Sequence, residues 1–217
     1  AAALARGGAR LVKDDELLGD PDWCPLEERV RRVADAIAEN VVYAPNVTGP
    51  PGSLLRRAER AVELGAGAVM LNAFAQGLGA LCMLREADLG VPIFAHRVGA
   101  SLWTRERAFG VAGTVVAELT RLCGADHVQV GSFSGTVFDR EEDVRAQIEA
   151  CRRPLEGVRP ATAVLGGGVG PENAAEQVRR TGVESGLLVL LGSAAYLHPG
   201  GPEEGVRATV RALSAWL

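Results

Sequence analysis

Leu11-Val12-Lys13-Asp14-Asp15-Glu16 begins as the apolar start of a strand and ends in one base and three acids. Lys13 is the sole lysine among 23 basic side chains, the rest being arginine. Ordinary cations in this chain are therefore guanidinium, and an amine is used once, beside three carboxylates. An amine can lose its proton and act as a nucleophile or base; a guanidinium in practice cannot. Strand alternation places Lys13 and Asp15 on one face, with Glu16 following at the turn. The three can thus converge on a hard cation such as Mg2+, which prefers oxygen ligands. An ammonium ligates no metal, so the lysine would first have to become an oxygen donor, for instance as a carbamate formed with CO2. The plainer reading of such a run is a solvated charge cluster at a strand end, and on these residues alone both readings stand.

Upstream, Ala1-Ala2-Ala3-Leu4-Ala5-Arg6 reads as the tail of a helix stopped by Gly7-Gly8, so the chain is expected to open inside a larger fold. Downstream, short apolar runs alternate with longer amphipathic stretches. Strands are predicted at 10–13, 41–46, 68–72, 92–96, 127–131, 162–166 and 187–192, and helices at 25–39, 53–64, 76–87, 104–122, 141–151, 171–180 and 202–216. Thr104 before Arg105-Glu106 and Asp139 before Glu141-Glu142 read as helix starts, Pro171 and Pro202 as first-turn prolines, and Gly65 and Gly124 as helix stops. Gly49-Pro50-Pro51-Gly52 reads as a tight connection.

Successive β-then-α units imply parallel strands, because a crossover helix returns the chain in the same direction. An open doubly wound sheet accepts seven strands, whereas a closed (β/α)8 barrel needs eight. A chain that opens on a helix end, with no strand before it, is what a barrel looks like with its first strand left off the front. The barrel is therefore the favoured reading, with residues 1–217 as one domain. No Gly-x-Gly-x-x-Gly follows the first strand, which lowers a dinucleotide-binding reading further.

Composition narrows the partners. With 47% hydrophobic residues and a net charge of −4, the chain can bury a sizeable core and offers no basic stripe for nucleic acid. No apolar run approaches the roughly 20 residues needed to span a bilayer, and no signal peptide is visible, so a cytoplasmic location is expected. Cys24, Cys82, Cys123 and Cys151 are far apart and form no Cys-x-x-Cys, which argues against a zinc knuckle or a disulfide framework.

In a barrel the strand ends form the active face. Those ends are polar here: the Lys13–Glu16 run, Asn46, Asn72, His96-Arg97, His127 with Gln129, Gly166-Gly167-Gly168, and Gly192-Ser193. His96 is a general-base candidate, although a single histidine is as often a satisfied structural group. His127 and Gln129 share one strand face and are expected to point into the barrel, as substrate or metal contacts or as a hydrogen-bonded layer. The glycine triplet and Gly192-Ser193 precede helices, where bare N–H groups suit a phosphate; each could equally be a tight strand-to-helix turn. His198 lies past the last strand and reads as structural.

The run Gly7-Gly8-Ala9-Arg10-Leu11-Val12-Lys13-Asp14-Asp15-Glu16 resembles the signature of the large subunit of ribulose bisphosphate carboxylase (RuBisCO) and the RuBisCO-like proteins. Later landmarks are similar in order: 43–49 (Tyr-Ala-Pro-Asn-Val-Thr-Gly), Ala95-His96-Arg97, Gly124-Ala125-Asp126-His127, Gly166-Gly167-Gly168 and His198-Pro199. The resemblance implies a barrel of the RuBisCO C-terminal type in which CO2 carbamylates Lys13, and Lys13, Asp15 and Glu16 hold Mg2+. It further implies proton transfer by His96, a phosphate contact at Arg97, phosphate loops at Gly167, Gly168 and Gly192, and Asn46 near the metal. By the same resemblance, a first barrel strand carrying a lysine, and an N-terminal α/β domain that completes the partner's site in an antiparallel dimer, would lie upstream of Ala1 and are expected to be missing from residues 1–217.

Departures from the family pattern set the expected subtype. Carboxylases place a lysine in the loop after the sixth strand, where this chain reads Gly131-Ser132-Phe133-Ser134-Gly135-Thr136-Val137. A second histidine expected shortly after His96 is replaced by Ala100, the strand partner of His127 is Gln129, and the family's last glycine triplet is Gly192-Ser193-Ala194. CO2 fixation is therefore not expected. What survives is the machinery for enolising a phosphorylated keto sugar, as a tautomerase or isomerase. The alternatives are a lyase that decarboxylates a phosphorylated 3-oxo sugar acid, which passes through the same enolate, and a catalytically silent binding or assembly barrel.

Overall fold

The computed structural model describes residues 1–134 and 139–215. The predicted loop positions 135–137 and the predicted helix end at 216 lie outside the described residues. Seven parallel strands occur among the described residues: β1 Leu11–Lys13, β2 Val42–Ala44, β3 Val69–Asn72, β4 Ile93–His96, β5 His127–Val130, β6 Thr162–Gly166 and β7 Leu187–Leu190. The helices are α1 Ala2–Arg6, α2 Leu26–Ala36, α3 Leu54–Glu63, α4 Ala73–Gln76, α5 Leu78–Glu86, α6 Ser101–Thr104, α7 Gly113–Leu122, α8 Glu141–Arg152, α9 Ala174–Thr181, α10 Ser193–Tyr196 and α11 Gly201–Ser214. Strand order follows sequence order, β1 with β2 and β3 through β7, and a parallel bridge from Asn46 to Met70 joins the two groups.

Period-2 alternation gives the sheet two faces, each with its own core. One face, with Val12, Tyr43, Val69, Leu71, Ile93, Val128, Val130 and Leu165, meets the helices through Leu26, Val30, Leu54, Leu81, Leu84 and Ile148. The other, with Ala44, Ala68, Met70, Phe94 and Val164, packs with Leu188 and Leu190 into a separate interior cluster. Two such cores are what a TIM barrel requires, one inside the sheet and one between sheet and helices. Full burial of Met70 and Phe94 at the interior contributes roughly 1.5–3 kcal/mol each. Among the described residues β1 bonds only β2 and β7 only β6. Accordingly Leu187–Leu190 stay half-buried despite being apolar throughout.

Several predicted boundaries hold. Gly65 (φ 98°) and Gly124 (φ 103°) lie just past α3 and α7, where a left-handed residue ends the helix. Pro202 occupies the first turn of α11. All four cysteines are free.

Others do not hold. The helix expected at 104–122 is two: Thr104 closes α6, and α7 begins only at Gly113. Between them the chain folds back, with the Val111 N–H donating to the Trp103 carbonyl at 2.7 Å. A Cβ on Gly110 would lie 2.1 Å from the Glu106 carbonyl, and one on Gly113 would lie 2.9 Å from the Gln147 side chain, where α7 crosses α8. Likewise Gln76 ends α4, and Gly77 at φ 89° separates it from α5. Pro171 opens a turn, and α9 starts at Ala174. Asp139 caps no helix, since α8 follows Arg140 without a side-chain cap and the Asp139 carboxylate is engaged by Arg97.

Candidate active site

The inward positions at the C-terminal strand ends bring Lys13, Asn46, Asn72, His96 and Gln129 toward one rim. Below and beside them a cavity of about 810 Å³ runs between β1 and β7; at the rim it is lined by Lys13, Asp15, Glu16, His96, Arg97, Gln129, Gly167, Gly168, Gly192 and Ser193. Much of that volume is the slot between the two strand edges, where Leu11, Leu188, Leu190, Val206 and Val210 line it.

Alternation settles the fate of the charged run. Asp14 faces the helices, where Oδ2 accepts from Arg29 Nε at 2.9 Å and from the Asn46 backbone N–H at 2.9 Å, and Oδ1 accepts from the Tyr43 hydroxyl at 2.6 Å. The Tyr43 phenol, buried and set beside this carboxylate, has its pKa driven far above the ordinary value. Lys13 points the other way. Its amine donates to the Asp14 carbonyl at 2.8 Å and lies 3.6 Å from Glu16 Oε2. Burial lowers its pKa against the opposing pull of Glu16 and Asp15.

Glu16 stands between Lys13 and His96, with Oε2 3.5 Å from His96 Nε2. The two asparagines hold its backbone: Asn72 Nδ2 donates to the Glu16 carbonyl at 2.6 Å and Asn46 Nδ2 does so at 3.0 Å. Asn46 therefore supports the metal-candidate turn from behind. Asp15 is exposed, and one of its oxygens accepts from the Leu17 N–H at 2.8 Å.

His96 Nδ1 accepts from the Val98 N–H at 3.1 Å, which puts its proton on Nε2, the nitrogen facing Glu16. Desolvation, with Lys13 next, lowers its pKa to about 3. His96 is thus a neutral imidazole presenting an N–H, a donor more than a base. Arg97 is gripped by Asp139 through both carboxylate oxygens.

The remaining candidates divide. Gln129 lines the cavity, and its buried Oε1 has no hydrogen-bond partner among the described residues; Asn72 Oδ1 is likewise buried without one, but Asn72 is not part of the cavity wall. His127 pairs in register with Phe94 and sits one layer below Gln129, away from the cavity wall, with its Nδ1 unpartnered. Gly167 (φ 105°) and Gly168 (φ 69°) adopt backbone that side-chain-bearing residues rarely reach. The Gly167 carbonyl accepts from the hydroxyls of Ser132 and Ser134, which ties this loop to the segment after β5. Gly192-Ser193 leads into the short α10 at the cavity margin. His198 Nδ1 accepts from the Gly200 N–H at 3.1 Å, a structural role.

Two residues received no site role from the sequence. Asn72 was visible only as a polar strand end, and Asp139 carried a helix-start signal that pointed to the wrong role. No group of three or more His, Cys, Asp or Glu side chains suited to a metal occurs among the described residues. A divalent cation here depends on Lys13 becoming an oxygen donor beside Asp15 and Glu16. The donor set fits that requirement, because the buried amine is biased toward the neutral form that adds CO2.

Comparison with known proteins agrees with this architecture. The family described as ribulose bisphosphate carboxylase large chain, catalytic domain, matches residues 1–217. A ribulose bisphosphate carboxylase-like protein of Archaeoglobus fulgidus is 34% identical over 98% of this chain and 50% of its own length. A 2,3-diketo-5-methylthiopentyl-1-phosphate enolase of Geobacillus kaustophilus is 34% identical over 98% of this chain and 53% of its own. The crystal structure of the octameric ribulose-1,5-bisphosphate carboxylase/oxygenase of Pyrococcus horikoshii superposes with a TM-score of 0.91 at 30% identity, covering 99% of this chain and 52% of that one. The chain spans about half the length of the curated relatives it matches.

Proposed function

The chain belongs to the family of RuBisCO large-chain catalytic domains, and on that premise we propose that it is the barrel of a RuBisCO-like enzyme that enolises a phosphorylated keto sugar without fixing CO2. The observation that carries this reading is the placement of Lys13, a single buried amine flanked by Glu16 and His96. The similarity to a named enolase supports the same reading.

Lys13 as its carbamate, Asp15 and Glu16 would hold Mg2+. Bound there, the ion would supply Lewis-acid polarisation of a substrate ketone and neutralise charge developing on its oxygen. The chain's own groups perform the rest. As its carbamate, Lys13 would serve as the base toward an α-proton, since His96 already carries its proton on the nitrogen facing Glu16. His96 Nε2–H donates a hydrogen bond toward the developing negative charge. Gln129 Oε1, an acceptor on the cavity wall without a partner among the described residues, takes a substrate hydroxyl. The backbone of Gly167, Gly168 and Gly192, with Ser193, binds the phosphate. A homodimer or larger assembly is part of the same proposal; the Pyrococcus horikoshii relative is octameric.

Proton NMR in D2O on the full-length protein tests the reading. A candidate phosphoketose should exchange its α-proton in the presence of Mg2+ and bicarbonate. Release of CO2 from a phosphorylated 3-oxo acid without such exchange would favour decarboxylation, and an unmodified Lys13 with no metal bound would leave a silent barrel.

A further inference from the structure

Arg97 extends from the end of β4 beside His96, where it is the guanidinium at the active rim of the cavity among the described residues. A planar guanidinium at such a place is the natural partner of a ligand phosphate. Here it already has an anion. Nη1 donates to one oxygen of Asp139 and Nη2 to the other at 3.2 Å, and the two side chains are only 11% and 9% exposed. A second observation shows that the pair is accommodated by the fold. A Cβ on Gly131 would lie 2.0 Å from Asp139 Oδ2 and 2.8 Å from Arg97 Nη1, so the backbone just past β5 is bare where the pair sits.

We propose that Asp139 determines specificity by filling the anion position of Arg97, so that the cavity selects ligands with one phosphate and an uncharged opposite end. The inference rests on the reading above, that this cavity takes a phosphorylated ligand, and extends it to the substrate class. A phosphate approaching Arg97 must displace a bidentate carboxylate held out of water, and until it does so it meets the negative charge of Asp139. Across the cavity, the side chains bonded to the Gly167 and Gly168 carbonyls are the neutral donors Ser132, Ser134 and Asn173, and a Cβ on Gly192 would meet nothing within 4 Å. The two sides of the site are therefore unequal.

The test is equilibrium binding of ribulose 5-phosphate and ribulose 1,5-bisphosphate to the full-length protein by calorimetry. The wild-type protein is expected to bind the bisphosphate no more tightly than the monophosphate. Asp139→Asn should raise bisphosphate affinity at least tenfold, on the order of one bidentate contact regained, and leave monophosphate affinity within about threefold. Adding Arg97→Gln should abolish the gain. Asp139→Ala is the second variant should the first fold poorly. A wild-type preference of tenfold or more for the bisphosphate overturns the proposal without any variant, as does binding of neither sugar phosphate. The readout is independent of chemistry: if the binding pattern holds while no α-proton exchanges, the enolase reading fails and this inference stands.

Discussion

Asp14 and Arg29 form a buried ion pair behind the catalytic-looking run, with Asp14 Oδ2 accepting from Arg29 Nε at 2.9 Å and both side chains less than a tenth exposed. Arg29 also donates to the Cys24 and Gly19 carbonyls at 2.6 and 2.7 Å, and the Tyr43 hydroxyl completes the carboxylate's partners. The first acid of the run is thus an anchor for the strand. Its neighbours face the cavity.

Asp14→Ala should destabilise the protein by about 3–5 kcal/mol, because it strands a desolvated guanidinium. Asp15→Asn, at an exposed carboxylate one residue on, should stay within about 0.5 kcal/mol of wild type. Urea unfolding of the two variants side by side measures the contrast, and equal losses would sink the assignment.

Lys13→Met should lower enolisation by at least about 100-fold, the scale of losing a positioned base. Native mass spectrometry with bicarbonate and Mg2+ should show the mass of one CO2 on the wild-type protein and none on the variant. Chelation of the metal should remove the adduct together with the activity.

Phe133 is held between Arg180 and Arg145, whose guanidinium carbons lie 4.8 and 5.6 Å from the ring centroid, and its N–H donates to Gln177 Oε1 at 2.7 Å. Phe133→Ala should cost about 1–2 kcal/mol through the lost cation–π contacts. It should also raise amide hydrogen exchange at residues 131–134, next to the serines that hold Gly167. Unchanged exchange there would show that the ring does not fasten the loop.

His127 has its pKa lowered by burial, only partly offset by Asp126. Below the ordinary histidine value near 6.5 the unfolded chain binds a proton that the folded chain still refuses. Stability contributed at this position is therefore present above that pH and declines as pH falls toward the folded-state value. His127→Gln should flatten the acid side of a plot of Tm against pH. A slope unchanged by the substitution would place the responsible groups elsewhere.

Much of the architecture is legible because it follows from local rules. Alternation along β1 put Lys13 and Asp14 on opposite faces, and positive-φ glycines ended α3 and α7 where expected. The long helix predicted at 104–122 is interrupted where the chain folds back and the Val111 N–H meets the Trp103 carbonyl, a pairing that helical periodicity does not register. His127 shared a strand face with Gln129 as predicted, yet two residues along a strand amount to a full layer of barrel depth, roughly 6–7 Å.

By itself the amino-acid sequence determined the strand and helix order, the two-faced strands and the single amine beside three acids, since each depends on residue type and short-range period. Tertiary structure alone decided which partner each polar group meets. Asp139 reaches Arg97 across 42 positions and Asn72 reaches the Glu16 carbonyl across 56. Such pairs exist only once the curved parallel sheet brings separate strand ends to one rim, where polar groups withdrawn from water must find one another. Lys13 was conspicuous from the start. That it faces Glu16 and His96 while Arg97 is already answered by Asp139 is a property of the folded rim.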